Sequence, residues 1–163
     1  MRELILRQAI RAKRLFRGRW PLAMTLLLTF RPSSTSSLLP PASGVDPRFA
    51  PLERFFRYYS CPPPHYVRTY LHVADYYGLD YRLLPAVSVR ETQCGLYENQ
   101  NNRWGYNPGH PGFESVEEGI ELVARQLAEG PWYEGKTLRQ KLFTYNPMPQ
   151  YPSEVIKLMR QVK

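Results

Sequence analysis

The chain has 163 residues, 43% of them hydrophobic, with 22 Lys and Arg against 14 Asp and Glu for a net charge of +8. That length allows one domain with a respectable core, preceded by a tail. The charge looks like a nucleic-acid signal, but residues 1–20 carry +6 of it, and a remainder at +2 lacks the basic face that phosphate binding needs.

The basic stretch (Arg2, Arg7, Arg11, Lys13, Arg14, Arg17, Arg19) leads into the eleven-residue apolar run Trp20–Phe30. A bilayer span needs about 20 residues, so the run fits the apolar region of a signal peptide better than a membrane helix. The basic region is long, Pro21 interrupts the run and no clean Ala-x-Ala follows; Ser34 and Ser36, or Thr35 and Ser37, are the small residues available for cleavage. The expectation is export to the periplasm or cell envelope. The N-terminus is then either cleaved or kept as a membrane anchor, and a basic segment resting on an anionic surface is the alternative. Residues 31–47 are rich in Ser and Pro and read as a linker, so the organisation is 1–47 as signal, anchor and linker and 48–163 as the folded domain.

Within the domain the period is helical. Leu52, Phe55, Phe56 and Tyr59 mark a short amphipathic segment stopped by Pro62-Pro63-Pro64; Val67, Tyr70, Leu71, Ala74 and Tyr77 follow, with Gly78 as C-cap. The next helix runs from Asp80, a good N-cap, to Gly95, with Pro85 early enough to be tolerated. A polar loop of twenty residues, 95–114, comes after it, and loops that long in compact domains are usually functional. Ser115 and Glu118 predict a capping box opening a helix to Gly130, Thr137 caps a short helix through Phe143, and a last helix carries Val155, Met159 and Val162. The predicted fold is mainly α, a set of short helices around a cleft with little or no β.

Leu84, Val87, Ser88, Glu91 and Cys94 share one stripe of the central helix, which sets Glu91 on the face that should be buried. A carboxyl group removed from water favours its protonated form, and a carboxylic acid that keeps its proton near neutrality can serve as a general acid. The competing reading is a Glu paired with a nearby Arg, or a helix turned so that Glu91 faces water. Aromatic content of 13%, with twelve Tyr, suits stacking on sugar rings as well as it suits an aromatic core. Three His without metal-ligand spacing predict no metal site, and neither a phosphate loop nor a Gly-x-Ser-x-Gly elbow occurs.

Four segments in order resemble the glucosaminidase family of bacterial cell-wall hydrolases, within the lysozyme-like superfamily. They are Val89–Gly95 around Glu91, Asn102-Arg103-Trp104-Gly105-Tyr106, Phe113–Ile120, and Tyr145-Asn146-Pro147-Met148-Pro149-Gln150-Tyr151. The resemblance covers about residues 52–162. It implies a lysozyme-like domain, a monomer without cofactor, acting on β-1,4 linkages between aminosugars of peptidoglycan glycan strands as an endo-β-N-acetylglucosaminidase. By the same resemblance Glu91 is the proton donor, and Tyr145, with Asn146, stands across the cleft. Asn102, Trp104 and Tyr106 line the groove, and Tyr151 closes the last motif on the substrate side. For the aromatics, ordinary packing under a long loop is the alternative.

Thr92 stands where the family has Ser or Gly, and the loop after Gly95 is too short for the lobe that carries a second carboxylate in true lysozymes. Such a partner lies about 5–5.5 Å away in retaining and about 6.5–9.5 Å away in inverting enzymes. Glu98 is the first candidate in sequence and Glu114 the next, though both are equally loop acids in water. A lytic transglycosylase needs only one acid, and a non-catalytic glycan-binding wall module is the alternative outside enzymology.

Cys61 and Cys94 are the only cysteines. Cys61 precedes the Val67–Tyr77 helix and Cys94 ends the next one, so an antiparallel pair joined at Gly78–Asp80 brings them together. An even count and an export signal predict a disulfide; buried thiols in a cytosolic protein are the alternative.

Overall fold

The structure is a computed structural model that describes residue 44, residues 46–107 and residues 112–163. The basic segment, the apolar run, nearly all of the linker and His110 lie outside the described residues. Among the described residues there are six α-helices and no strand: α1 Phe49–Tyr58, α2 Val67–Tyr77, α3 Leu83–Thr92, α4 Val116–Glu129, α5 Leu138–Tyr145 and α6 Tyr151–Met159. The mainly helical expectation therefore holds.

α1 turns Leu52, Phe55 and Phe56 inward at i, i+3 and i+4 and packs on α2. α2 spans the predicted residues and ends on Gly78, whose φ of +63° suits a residue without a Cβ. α3 is the centre of the molecule. Leu83 to Val89 and Thr92 are all buried, with α6 and α4 packed against it. Pro85 falls at its third position, where the N–H has no intrahelical partner to lose.

The ends of α3 differ from expectation. Asp80 does not cap it: its Oδ1 accepts from the Arg82 N–H (3.0 Å) and its carbonyl from Leu83 N–H (2.9 Å), which makes a turn ahead of the helix. The helix stops at Thr92, three residues before Gly95, because Gln93 (φ +51°) and Cys94 (φ +53°) turn left-handed. Thr92 holds that turn, its Oγ1 accepting from Gly95 N–H (2.9 Å) and donating to the Arg103 carbonyl (2.7 Å).

Ser115 caps α4 by accepting from Glu118 N–H (3.1 Å), while the Glu118 carboxylate accepts from Glu114 N–H (2.6 Å) and so leaves the reciprocal half of the box one residue early. Thr137 and Gln140 form a full capping box, and α5 continues to Tyr145, two residues past the expected Phe143. Gly119 is the seat of the core: a Cβ there would meet the Trp104 ring and stand 2.8 Å from Phe113 Cδ2. Both rings are buried, so neither can swing away. Gly119→Ala is expected to destabilise by about 1–3 kcal/mol through overpacking, read as a lower midpoint in urea; an unchanged midpoint would contradict this packing.

Cys61 and Cys94 form a disulfide with Cα atoms 5.5 Å apart, and no cysteine is free. It ties the segment between α1 and α2 to the turn after α3, and α2 and α3 take their main packing from α1, α4 and α6, so the bridge is not the by-product of a simple hairpin. Such a bond fits an oxidising, extracellular environment. No helix among the described residues is long and apolar enough to cross a membrane.

Candidate active site

Glu91 lies in the last turn of α3, partly buried, and its Oε1 is enclosed with no hydrogen-bond partner. A buried polar atom left unmatched costs stability, which calls for a reason. The reason is built around it by the segment 102–106. Trp104 is fully buried, edge-on to Tyr70 and Phe113 at 6.3 and 6.2 Å, with its Nε1 donating to the Leu84 carbonyl (3.2 Å). Planting that ring in the core brings the following residue, Gly105, over Glu91. A Cβ on Gly105 would stand 3.1 Å from Glu91 Oε2, and its φ is +56°. No side chain fits there without strain.

Three ties hold the turn. Asn102 clamps it from both sides, its Oδ1 accepting from Tyr106 N–H (2.9 Å) and its Nδ2 donating to the Tyr106 carbonyl (2.8 Å). Thr92 donates to the Arg103 carbonyl at the end of α3 itself. Tyr145 donates its phenol proton to the Trp104 carbonyl (2.6 Å), so α5 is fastened to the same loop.

Tyrosines make up the rest of the surround. Tyr145 stacks on Tyr151 (6.2 Å, 12° between planes) and lies 6.4 Å from Tyr106. Tyr133, nearly buried, interacts electrostatically with Tyr106, Tyr145 and Tyr151. Burial pushes the phenols of Tyr133, Tyr145 and Tyr151 up, and Glu91 adds to the rise at Tyr145 and Tyr151. All three stay neutral through ordinary pH. Arg90 makes its ion pair elsewhere: its Nε donates to Glu154 (2.7 Å) and its guanidinium lies 5.8 Å over the Tyr151 ring, within electrostatic reach of Glu91. Glu91 therefore makes no ion pair of its own, with neutral phenols beside it and Arg90, already paired with Glu154, as a neighbouring cation.

No family model matches the chain, and neither a curated protein nor a solved structure matches it. The site has to be judged on its own geometry.

That geometry corrects several sequence expectations. Trp104 and Tyr151 have no exposed surface and cannot line a groove; Trp104 anchors the turn and Tyr151 backs the carboxyl. Asn102 spends its amide on the Tyr106 backbone and shapes the loop from within. Glu98 is no free second carboxylate, since Arg103, itself buried, holds it at 3.1 Å and lies over the Tyr66 ring. Glu114 is exposed. Asn146 caps α5 and accepts from Met148 N–H (3.1 Å), with part of its surface open. Glu91, Tyr106 and Tyr145 are brought together, each with part of its surface accessible.

Nothing in the sequence singles out Tyr133. Its only signal is a Trp-Tyr pair in the Gly130–Gly135 turn, and nothing local distinguishes the ring that turns inward from the exposed Trp132.

Gly105→Ala tests the close approach. Placing a Cβ against Oε2 in left-handed backbone should cost about 1–2 kcal/mol of stability. It should also lower any turnover by roughly tenfold to a hundredfold by displacing the carboxyl. Thermal unfolding and initial rates measured side by side check it; full activity would show that the turn does not bear on Glu91.

Proposed function

We propose that the domain is a lysozyme-like peptidoglycan glycosidase of the glucosaminidase type, with Glu91 as general acid. The observation that carries this is the enclosed, unpartnered Oε1 of a part-exposed Glu91 under Gly105, in a surround of phenols where Arg90, the neighbouring cation, is paired with Glu154 instead. Glu91 donates a proton to the glycosidic oxygen as the bond to the anomeric carbon breaks and the sugar becomes oxocarbenium-like. Tyr145 already donates its O–H in a hydrogen bond to the Trp104 carbonyl, so its oxygen lone pairs are what it offers to developing positive charge. Tyr106 extends the same wall.

The Glu98–Arg103 pair favours a second reading, in which one acid suffices. Water then adds with help from the substrate's acetamido group, or the sugar's own 6-hydroxyl attacks, as in a lytic transglycosylase. The disulfide, together with the basic and apolar N-terminal sequence, supports export to the cell envelope, where the glycan strands lie.

Zymography on purified cell wall, followed by mass analysis of soluble products, tests the proposal. A reducing end marks hydrolysis and a 1,6-anhydro end, lighter by one water, marks transglycosylase chemistry. Binding to the wall without any product would leave a glycan-binding module instead.

A further inference from the structure

Of three enclosed polar side-chain atoms without a hydrogen-bond partner among the described residues, two, Glu91 Oε1 and the Tyr151 hydroxyl, belong to side chains that interact with each other. Tyr151 is fully buried at the start of α6, the helix packed most extensively on α3. Its ring is held between Tyr145, stacked at 6.2 Å, and the Arg90 guanidinium at 5.8 Å, which Glu154 fixes in turn. The Glu91 carboxyl acts on this hydroxyl at close range, yet the geometry falls short of a hydrogen bond. Catalytic hydrogen bonds are often long until substrate closes the site. The Tyr151 proton has no other acceptor. The other carboxyl oxygen, Oε2, lies against Gly105 in the exposed turn.

We infer that Tyr151 is a positioning residue: its hydroxyl donates to Glu91 Oε1 and so keeps the transferable proton on Oε2, the oxygen beneath the Gly105 turn. A carboxylic acid has two oxygens and one proton, and only one of them can face the glycosidic oxygen. A buried donor aimed at Oε1 makes that oxygen the acceptor and leaves Oε2 as the donor. The groups that act on the carboxyl are Arg90, itself paired with Glu154, and the phenols of Tyr145 and Tyr151, with Tyr106 and Tyr133 next to those phenols. Tyr145 donates its O–H to the Trp104 carbonyl, whereas the enclosed Tyr151 hydroxyl has no partner. The inference rests on the glycosidase reading.

The test is the rate–pH profile on solubilised glycan strands for wild type, Glu91→Gln and Tyr151→Phe. Phe keeps the stacked ring and removes only the hydroxyl. A donor to a carboxylate favours its ionised form, so losing it should move the alkaline limb of the profile to higher pH. The maximal rate should fall by about tenfold to a hundredfold, with KM little changed, because the proton is no longer confined to one oxygen. Loss of packing alone would lower the rate without moving the limb. Difluorotyrosine at position 151, a stronger O–H donor on the same ring, should keep the rate and move the limb to lower pH, and it carries the test if Tyr151→Phe fails to fold. An inactive Glu91→Gln beside unmoved limbs in both position-151 variants overturns the inference alone. A wild type without glycosidase activity, or a fully active Glu91→Gln, overturns the glycosidase reading and this inference with it.

Discussion

Glu91→Gln is expected to abolish turnover on cell wall while the protein stays folded. The substitution keeps the shape of the side chain and removes its ability to give up a proton, a contribution worth about 10²–10⁴-fold in general acid catalysis. Stability should hold or rise slightly. Oε1 makes no hydrogen bond in the structure, and the amide oxygen that replaces it can still accept from the Tyr151 hydroxyl, while a buried group left unmatched is a common site of gain when it is neutralised. The measurement pairs a zymogram with thermal unfolding of both proteins. Activity within a few fold of wild type would remove Glu91 from the mechanism, whatever the fold.

The second large effect is on stability. Reducing the Cys61–Cys94 bridge, or replacing both residues by Ala, opens a loop with a sequence separation of 33. In the chain-entropy view that bond stabilises by about 3–4 kcal/mol. For a domain of this size the loss corresponds to a fall in Tm of roughly 10–20 °C. Function should follow stability, for Cys94 sits in left-handed backbone just beyond the helix that aims Glu91. Two buried sulfurs also shield the bond from reductant, since Cys61 and Cys94 are 7% and 1% exposed. Urea titrations with and without strong reductant measure the difference, and thiol counting on unfolded, unreduced protein should find none. Coincident titration curves would show that the bridge contributes nothing.

Helix positions, the N-caps at Ser115 and Thr137, the Gly78 stop and the pairing of the two cysteines were legible in the sequence. These depend on local periodicity, capping chemistry and parity, which neighbours along the chain express directly. The placement of Glu91 on an inward stripe was legible for the same reason, because a 3.6-residue period decides which side chains share a face. The fate of the aromatic and amide residues was not. Trp104, Tyr106, Tyr145 and Tyr151 belong to one composition class, yet Trp104 and Tyr151 are wholly enclosed while Tyr106 and Tyr145 keep part of their surface open. Which becomes an anchor and which a wall depends on what lies across the core, such as the space that Gly119 leaves for Trp104. Likewise, Glu98 reads as a candidate second carboxylate until Arg103 takes it, and Asn102 as a ligand until its amide clamps Tyr106. The sequence alone determined that one acid would sit at the end of a buried helix. Tertiary structure decided that it would stand unpaired beside neutral tyrosines, with Arg90 committed to Glu154, because hydrogen bonds and ion pairs are settled between residues far apart in the chain, where no periodicity reaches.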